Sequence, residues 1–320
     1  MSRDSEAGAP REPSTPDAVL EAEQAESLRR VEAGGIPLTA ERRLKELDER
    51  GGSFTSDLSV SGFALSHQLG LKPLSQVMGS SIYQVGYQGM QMGYGAFGGA
   101  YGAGTTGMLT ELRTLSDAWN EVRRLALNRL ELEARHAGAD AVIGVQVRTG
   151  SHDWAEGAIE YVVVGTAMRR KDAKPNASPV MTELSVSDYA NLQRAGIEPL
   201  GIVAWTSVFF VVDTAEMQMM SGFGGRAMFS ENQELSGYTQ GVYSAREQAM
   251  ERLGFQAQQL GASGIVGVRI GHTMHRQSMG GGVNNQMSGM VVTFDVIGTA
   301  VSDRNEVQQQ PPKTTVDISI

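Results

Sequence analysis

Leu260-Gly261-Ala262-Ser263-Gly264-Ile265-Val266-Gly267-Val268 repeats an earlier stretch of the same chain, Ala137-Gly138-Ala139-Asp140-Ala141-Val142-Ile143-Gly144-Val145. Each copy closes a helical pattern with a glycine and runs into a short apolar segment. That pattern predicts a helix C-terminus delivering the chain into a buried strand. The flanking residues repeat as well. Leu58-Ser59-Val60-Ser61 through Gly70, Pro73 and Val85 aligns without a gap on Leu184-Ser185-Val186-Ser187 through Gly196, Pro199 and Val211. Downstream, Ile159-Glu160-Tyr161-Val162-Val163-Val164-Gly165-Thr166-Ala167 matches Val292-Thr293-Phe294-Asp295-Val296-Ile297-Gly298-Thr299-Ala300. A repeat of about a hundred residues is far longer than a solenoid period and means two copies of one domain.

Within each copy the hydrophobic spacing orders the elements. Leu112, Leu115, Trp119, Val122, Ala126, Leu130 and Ala134 recur three and four apart, as do Ala245, Ala249, Leu253, Ala257 and Leu260. Both are stripes of long amphipathic helices. Strand patterns stand before and after each: Leu74–Val85, Ala141–Val147 and Ala158–Met168 in the first copy, and Gly201–Val212, Gly264–Ile270 and Gly289–Val301 in the second. A short helix leads each copy. One helix cannot cover both faces of a three-stranded sheet as apolar as Val203–Val212, so the open face needs the other unit or another chain. Self-association is expected from that shortage alone.

The chain therefore divides into a disordered start at 1–16, a charged helical arm at 17–53, unit 1 at 54–170, a hydrophilic linker at 171–180, unit 2 at 181–303 and a disordered tail at 304–320. The arm, with Glu21, Glu23, Arg29 and Arg30 and then Glu41, Arg42, Arg43, Lys45, Glu46 and Glu49, reads as two solvated helices, the first capped by Asp17 and the second by Thr39, with Leu38, Leu44 and Leu47 as the alternative of docking on a partner surface. From Pro73 to Thr110 no residue is charged or histidine, and Gly, Tyr and Met dominate Gly86–Gly107. Such glycine density disfavours a regular element unless the backbone packs closely on something.

The 320 residues suffice for two ordinary cores, and 41% hydrophobic content is that of a soluble globular chain. A net charge of −9 argues against a phosphate-backbone binder, so nucleic acid is not an expected partner. With zero cysteines there are no disulfides, no thiolate metal sites and no Cys nucleophile. The N-terminus lacks a secretory pattern and no run is apolar and long enough to span a bilayer, so a cytoplasmic address is expected.

At these residues the chain resembles the YbjQ-like family of heavy-metal-binding domains. The second unit carries the pattern as Ala245-Arg246-Glu247, Leu253-Gly254-Phe255-Gln256-Ala257, Leu260-Gly261-Ala262, Ile265-Val266-Gly267-Val268 and Gly298-Thr299-Ala300-Val301. The first keeps Gly138–Val145 and Gly165-Thr166-Ala167 but has Trp119-Asn120-Glu121 in place of Ala-Arg-Glu. The resemblance implies an α+β fold of the dodecin type, a small curved sheet against one long helix in each unit, assembling into a closed, pentamer-like ring. It brings no catalytic residues.

The metal-like spacing is His272-Thr273-Met274-His275, read as following the last-but-one strand. In an extended segment, residues three apart point to opposite faces, so the two imidazoles share a divalent ion only if the chain turns there. His67, His136 and His152 have no partner at ligand spacing. Met90 and Met92, with Met217, Met219 and Met220, offer thioethers but suit adaptable packing or binding surface better. Asp153 and Glu156 lack a companion base or nucleophile, and Gly93-Tyr94-Gly95-Ala96-Phe97-Gly98 fits a dinucleotide fingerprint in spacing only. The expectation is a non-enzymatic, ring-forming protein that binds a metal or small ligand. The rival reading is an interaction scaffold that contacts a protein or a membrane surface through its Gly/Met/aromatic segments.

Overall fold

A computed structural model describes residues 16–50, 54–85, 108–151, 158–171, 178–212, 234–279 and 287–303. Two charged helices open it, α1 (Pro16–Glu32) and α2 (Leu38–Arg50). Unit 1 follows as α3 (Val60–Gln68), β1 (Leu71–Gln84), β2 (Met108–Glu111), α4 (Arg113–His136), β3 (Ala141–Ser151) and β4 (Ala158–Arg170). Unit 2 runs as β5 (Val180–Met181), α5 (Val186–Arg194), β6 (Ile197–Val212), α6 (Ser236–Gln259), β7 (Gly264–Met279) and β8 (Met287–Asp303). The protein is α+β, two tandem units each with a curved sheet on one long helix.

The local devices are duplicated as faithfully as the sequence. Ser59 and Ser185 start the short helices, their hydroxyls accepting from the N–H groups of Gly62 and Asp188 at 3.0 and 3.2 Å. Gly138 and Gly261 end the long helices at φ 68° and 70°, a left-handed turn that a side chain would strain. Each unit then bulges in the same two places: at Pro73/Ser75 and Pro199/Gly201 on the first strand, and at Ile143/Gln146 and Val266/Arg269 on the third. Gly144 and Gly267 occupy the latter bulges at φ 69° and 65°.

The sheets are ordered β1-β4-β3-β5 and β2-β6-β8-β7. Pairing is antiparallel except between β3 and β5. Each sheet has a fourth strand, where three were expected, and that strand comes from the other unit. Met108–Glu111 precedes the helix of unit 1 yet pairs with Val212–Phe209 of unit 2. Val180–Met181 opens unit 2 yet lies parallel to Ala141–Val142 of unit 1.

Burial follows this exchange. Val122, Ala126, Leu130 and Ala134 are fully buried on α4 against β1 and β4, and Ala245, Ala249 and Leu253 are fully buried on α6 against β6 and β8. The second face of each sheet is sheltered across the joint. Val186 and Tyr189 of α5 pack with Leu71, Ala141, Ile143 and Met168 of unit 1. Leu112, Leu115 and Trp119 from unit 1 pack with Val208, Phe210, Val212 and Val291 of unit 2. The other unit of the same chain supplies the cover that each apolar sheet lacked, so that shortage does not by itself call for another copy.

The arm docks instead of standing free in solvent, and the surface it docks on is unit 1 of its own chain, with Leu44 buried and Leu38 and Leu47 half-buried. Ile36 is buried as well, and Arg129 of α4 donates to the carbonyls of Val31 and Gly35 at 2.8 and 3.2 Å. Asp17 and Thr39 lie inside the first turns of α1 and α2 instead of capping them, because the helices begin at Pro16 and Leu38. Pro tolerates a first-turn position, where no N–H partner is needed.

Candidate functional site

The joint between the units is a densely hydrogen-bonded polar region, and it centres on the outer edge of β6. An edge strand presents unpaired N–H and C=O groups that must be satisfied or guarded. Strand β2 pairs the end of this edge, and then the backbone of Leu112, which leads α4, and side chains of α4 take over. Leu112 donates its N–H to the Val208 carbonyl at 2.8 Å, and Ser116 Oγ accepts the Val208 N–H at 2.9 Å. One turn on, Asn120 Nδ2 donates to the Thr206 carbonyl at 2.9 Å and Oδ1 accepts the Thr206 N–H at 3.1 Å. The next outward N–H, that of Ala204, goes to Gln256 Oε1 of α6 at 3.0 Å.

Beneath Asn120 lies a buried cation. The Arg123 guanidinium donates to Thr206 Oγ1 at 2.8 Å and to Asn120 Oδ1, and it stands 6.0 Å from the centre of the Tyr161 ring. Thr206 Oγ1 in turn donates to Asp295 Oδ1 at 2.6 Å. Burial pulls the Arg123 pKa down, opposed by Tyr161 and Asp295; it pushes the Asp295 carboxyl up, and the Tyr161 phenol up to about 12. The charges compensate one another through one threonine hydroxyl.

The reciprocal half of the joint seats 180–184 on β3. The N–H groups of Val180 and Thr182 donate to the carbonyls of Asp140 and Val142 at 3.0 and 2.9 Å, while those of Gly144 and Val145 donate to Leu184 and Thr182, both at 3.0 Å. The Gly144 bulge is what turns two successive N–H groups outward. Glu183, with 2% of its side chain exposed, accepts from Arg269 at 2.9 Å; burial raises its pKa, the arginine opposing. An open cleft of about 750 Å³ runs between the units, lined by Tyr83, Glu121, Arg124, Leu127, Trp205 and Gln256. It is open to solvent, and its walls are both apolar and charged.

The residues singled out for metal lie elsewhere. His272 and His275 are both inside β7, opposite Phe294 and Val291, because the strand runs on to Met279 rather than ending at Ile270. Both are exposed, and three residues apart in an unbroken ladder they face opposite sides, so one chain does not offer them to one ion. His67 stands edge-on to Phe63 at 4.7 Å on α3, and His136 is exposed at the end of α4. His152, Asp153, Glu156, the two methionine clusters and Gly93–Gly98 fall outside the described residues. Among the described residues no three His, Cys, Asp or Glu groups converge as a metal site, and no helix is long and apolar enough to cross a membrane.

Comparison with known proteins places this architecture. The model of the YbjQ family, described as "Putative heavy-metal-binding", matches twice, at residues 96–171 and 211–304. The chain belongs to the YbjQ family. Its two matches fall one in each unit, so the duplication seen in the sequence is a tandem of YbjQ domains. Among its relatives is the encapsulin nanocompartment protein Rv1762c of Mycobacterium tuberculosis, 32% identical over 276 residues, which cover 82% of this chain and 97% of that one. UPF0145 proteins of Clostridium novyi and Alkaliphilus metalliredigens are each 42% identical over 59 residues, 18% of this chain. Those stretches span 55% of each UPF0145 protein.

Asn120, Arg123, Thr206 and Asp295, the residues that build the joint, were missed in the sequence. Matched on their buried stripes, α4 and α6 align Val122-Arg123-Arg124 on Ala245-Arg246-Glu247, so setting Trp119-Asn120-Glu121 there is three residues out of register, and Asn120 falls opposite the exposed Tyr243. What looked like a weaker match is the helix face that grips β6.

Proposed function

We infer that the protein is a non-catalytic building block that associates with copies of itself into a ring-like assembly, and that the assembly binds a ligand without converting it. One observation carries this reading: the two units of one chain complete each other's sheets, while the outer edge of β7, the counterpart of the paired edge of β3, has no such partner among the described residues. A fold that solves its edges by exchange with a neighbour is already organised for repetition. The name of the mycobacterial relative, an encapsulin nanocompartment protein, supports the same class of role. The cleft between the units is the place for a small ligand. A divalent metal held by His272 or His275 would draw on a second copy, since one chain turns them to opposite faces of β7. Native mass spectrometry of protein purified without a His tag tests the reading, because it reports subunit number and retained ligand or metal together. A discrete multimer is expected; a single-chain mass at micromolar concentration would overturn it.

A further inference from the structure

The contacts that seat unit 2 on unit 1 exist a second time in the chain, with both mates unused among the described residues. On β3 the outward groups are the carbonyls of Asp140 and Val142 and the N–H groups of Gly144 and Val145, all bonded to 180–184. Their equivalents on β7 are the carbonyls of Ser263 and Ile265 and the N–H groups of Gly267 and Val268, turned outward by the same glycine bulge. Among the described residues these have no partner. Val268 is 38% exposed where its equivalent Val145 is 1% exposed.

The segment that would fit this edge is equally present. Phe54–Leu58 aligns on Val180–Leu184, and it is held on its own unit in the same way: Gln146 Nε2 donates to Asp57 Oδ2 at 2.6 Å, as Arg269 donates to Glu183 at 2.9 Å. One flank of each segment is thus fixed to its own sheet. The other flank of 180–184 pairs with β3, and that of 54–58 is open among the described residues.

The apolar parts repeat the pattern. Val186, 2% exposed, is buried against Leu71, Ile143 and Met168. Its equivalent on α3 is Val60, 88% exposed. The hollow that would receive it is formed by the equivalents of those three residues, Ile197, Val266 and Val301, of which Ile197 and Val266 are only half-buried. An isolated valine so exposed costs little, but a valine, a hollow and a strand edge that each match a filled counterpart point to one missing occupant.

We propose that Phe54–Val60 of one copy docks on β7 of the next, with Phe54 opposite Gly264 and Thr55 opposite Ile265, in the parallel register by which Val180 and Met181 meet Ala141 and Val142. This deepens the self-assembly reading and rests on it. The contact is head-to-tail, so it propagates and closes into a ring when the rotation between units permits. The chain has zero cysteines, which makes crosslinking clean. The double variant Phe54→Cys/Gly264→Cys, mildly oxidised, should give a covalent ladder of multimers on non-reducing gels, whereas Ala141→Cys/Val180→Cys should close within one chain and give no ladder. Val60→Asp, at a site too exposed to disturb the monomer, should convert the multimer to single chains with an unchanged circular dichroism spectrum. A wild-type protein that is a single chain by native mass spectrometry would sink both this contact and the assembly reading. A multimer that survives Val60→Asp and gives no ladder would sink this contact alone.

Discussion

Asn120 holds both polar groups of the Thr206 backbone, its amide nitrogen donating to the carbonyl at 2.9 Å and its amide oxygen accepting the N–H at 3.1 Å. A helix side chain here does what a neighbouring strand would do. Asn120→Ala leaves two backbone groups of a fully buried residue without partners, and each such loss costs about 1–3 kcal/mol. Asn120→Asp keeps the shape but loses the donor, so it should also fall short. Urea denaturation checks both: the midpoint should drop in either variant while the dependence on urea stays the same.

Arg123 and Asp295 form one unit through Thr206 Oγ1, and the cost of breaking them is asymmetric. Arg123→Met strands a carboxylate in an apolar joint, a loss of about 3–5 kcal/mol on the pattern of buried ion pairs. Arg123→Met with Asp295→Asn should recover a good part of it. A double-mutant cycle on thermal unfolding gives the coupling, and additive losses would show that the two residues act separately.

The pH dependence follows from burial. Desolvation raises the carboxyls of Asp295, Glu133 and Glu183 above their ordinary values of 3.8, 4.5 and 4.5. A raised acid binds its proton more tightly in the folded state than in the unfolded one, so between the two values stability falls as pH rises. Lowering the pH from neutral toward the ordinary carboxylate range should therefore stabilise the fold. The half-buried Glu41 and Glu121, lowered by hydrogen bonds to Lys45 and Arg124 respectively, work in the opposite sense and only at lower pH. Melting temperatures between neutral and mildly acidic pH, compared with Asp295→Asn, measure the slope; the variant should be flatter.

Residues that are repeated could be read from the sequence, and residues that differ between the copies could not. The glycine that ends each long helix, the serine that starts each short one and the buried stripes of α4 and α6 act locally, through backbone conformation and period, so a single strand of text contains them. The strand exchange is not local. Met108-Leu109-Thr110-Glu111 has no alternation to mark it as a strand, and its partner lies a hundred residues away by rough count. The continuation of β7 past Ile270 carries no apolar period, because Gly271-His272-Thr273 is polar and both faces of the strand stay exposed there.

Gly79 shows the same divergence in one position, since its equivalent in unit 2 is Trp205. A Cβ on Gly79 would overlap the Ala126 carbonyl oxygen and crowd the Leu130 N–H at 2.6 Å, and helix backbone cannot yield as a side chain can. Helix α4 therefore rides closer to its sheet than a side chain would allow. Gly79→Ala should cost more than the 1–3 kcal/mol usual for overpacking, despite adding a single methyl group. Gly254→Ala, which meets nothing within 4 Å on α6, is the control and should stabilise slightly or do nothing. Differential scanning calorimetry of the pair decides it.

The charged arm guards an edge. On β1, Met78 donates its N–H to Glu133 Oε2 at 2.9 Å, the place taken in unit 2 by Ala204 and Gln256. Arg43 of the arm pairs with that same Glu133 oxygen at 3.0 Å, supplying the charge that a buried glutamate needs and a glutamine does not. Arg129 ties the Val31 and Gly35 carbonyls to the Ser80 carbonyl of β1, at 2.6 Å to the last. A helical cover of this kind is one way in which proteins keep a strand edge from pairing with the wrong neighbour. Removing residues 1–50 should leave both units folded, because α4 and the sheets keep their own core, but it should bare Glu133 and the Gln76–Ser80 edge. The truncated chain should melt lower and should scatter light increasingly with concentration, where the full chain gives one discrete species. Arg43→Ala should reproduce the lower melting point without the scattering, since it removes the counter-charge and leaves the cover in place.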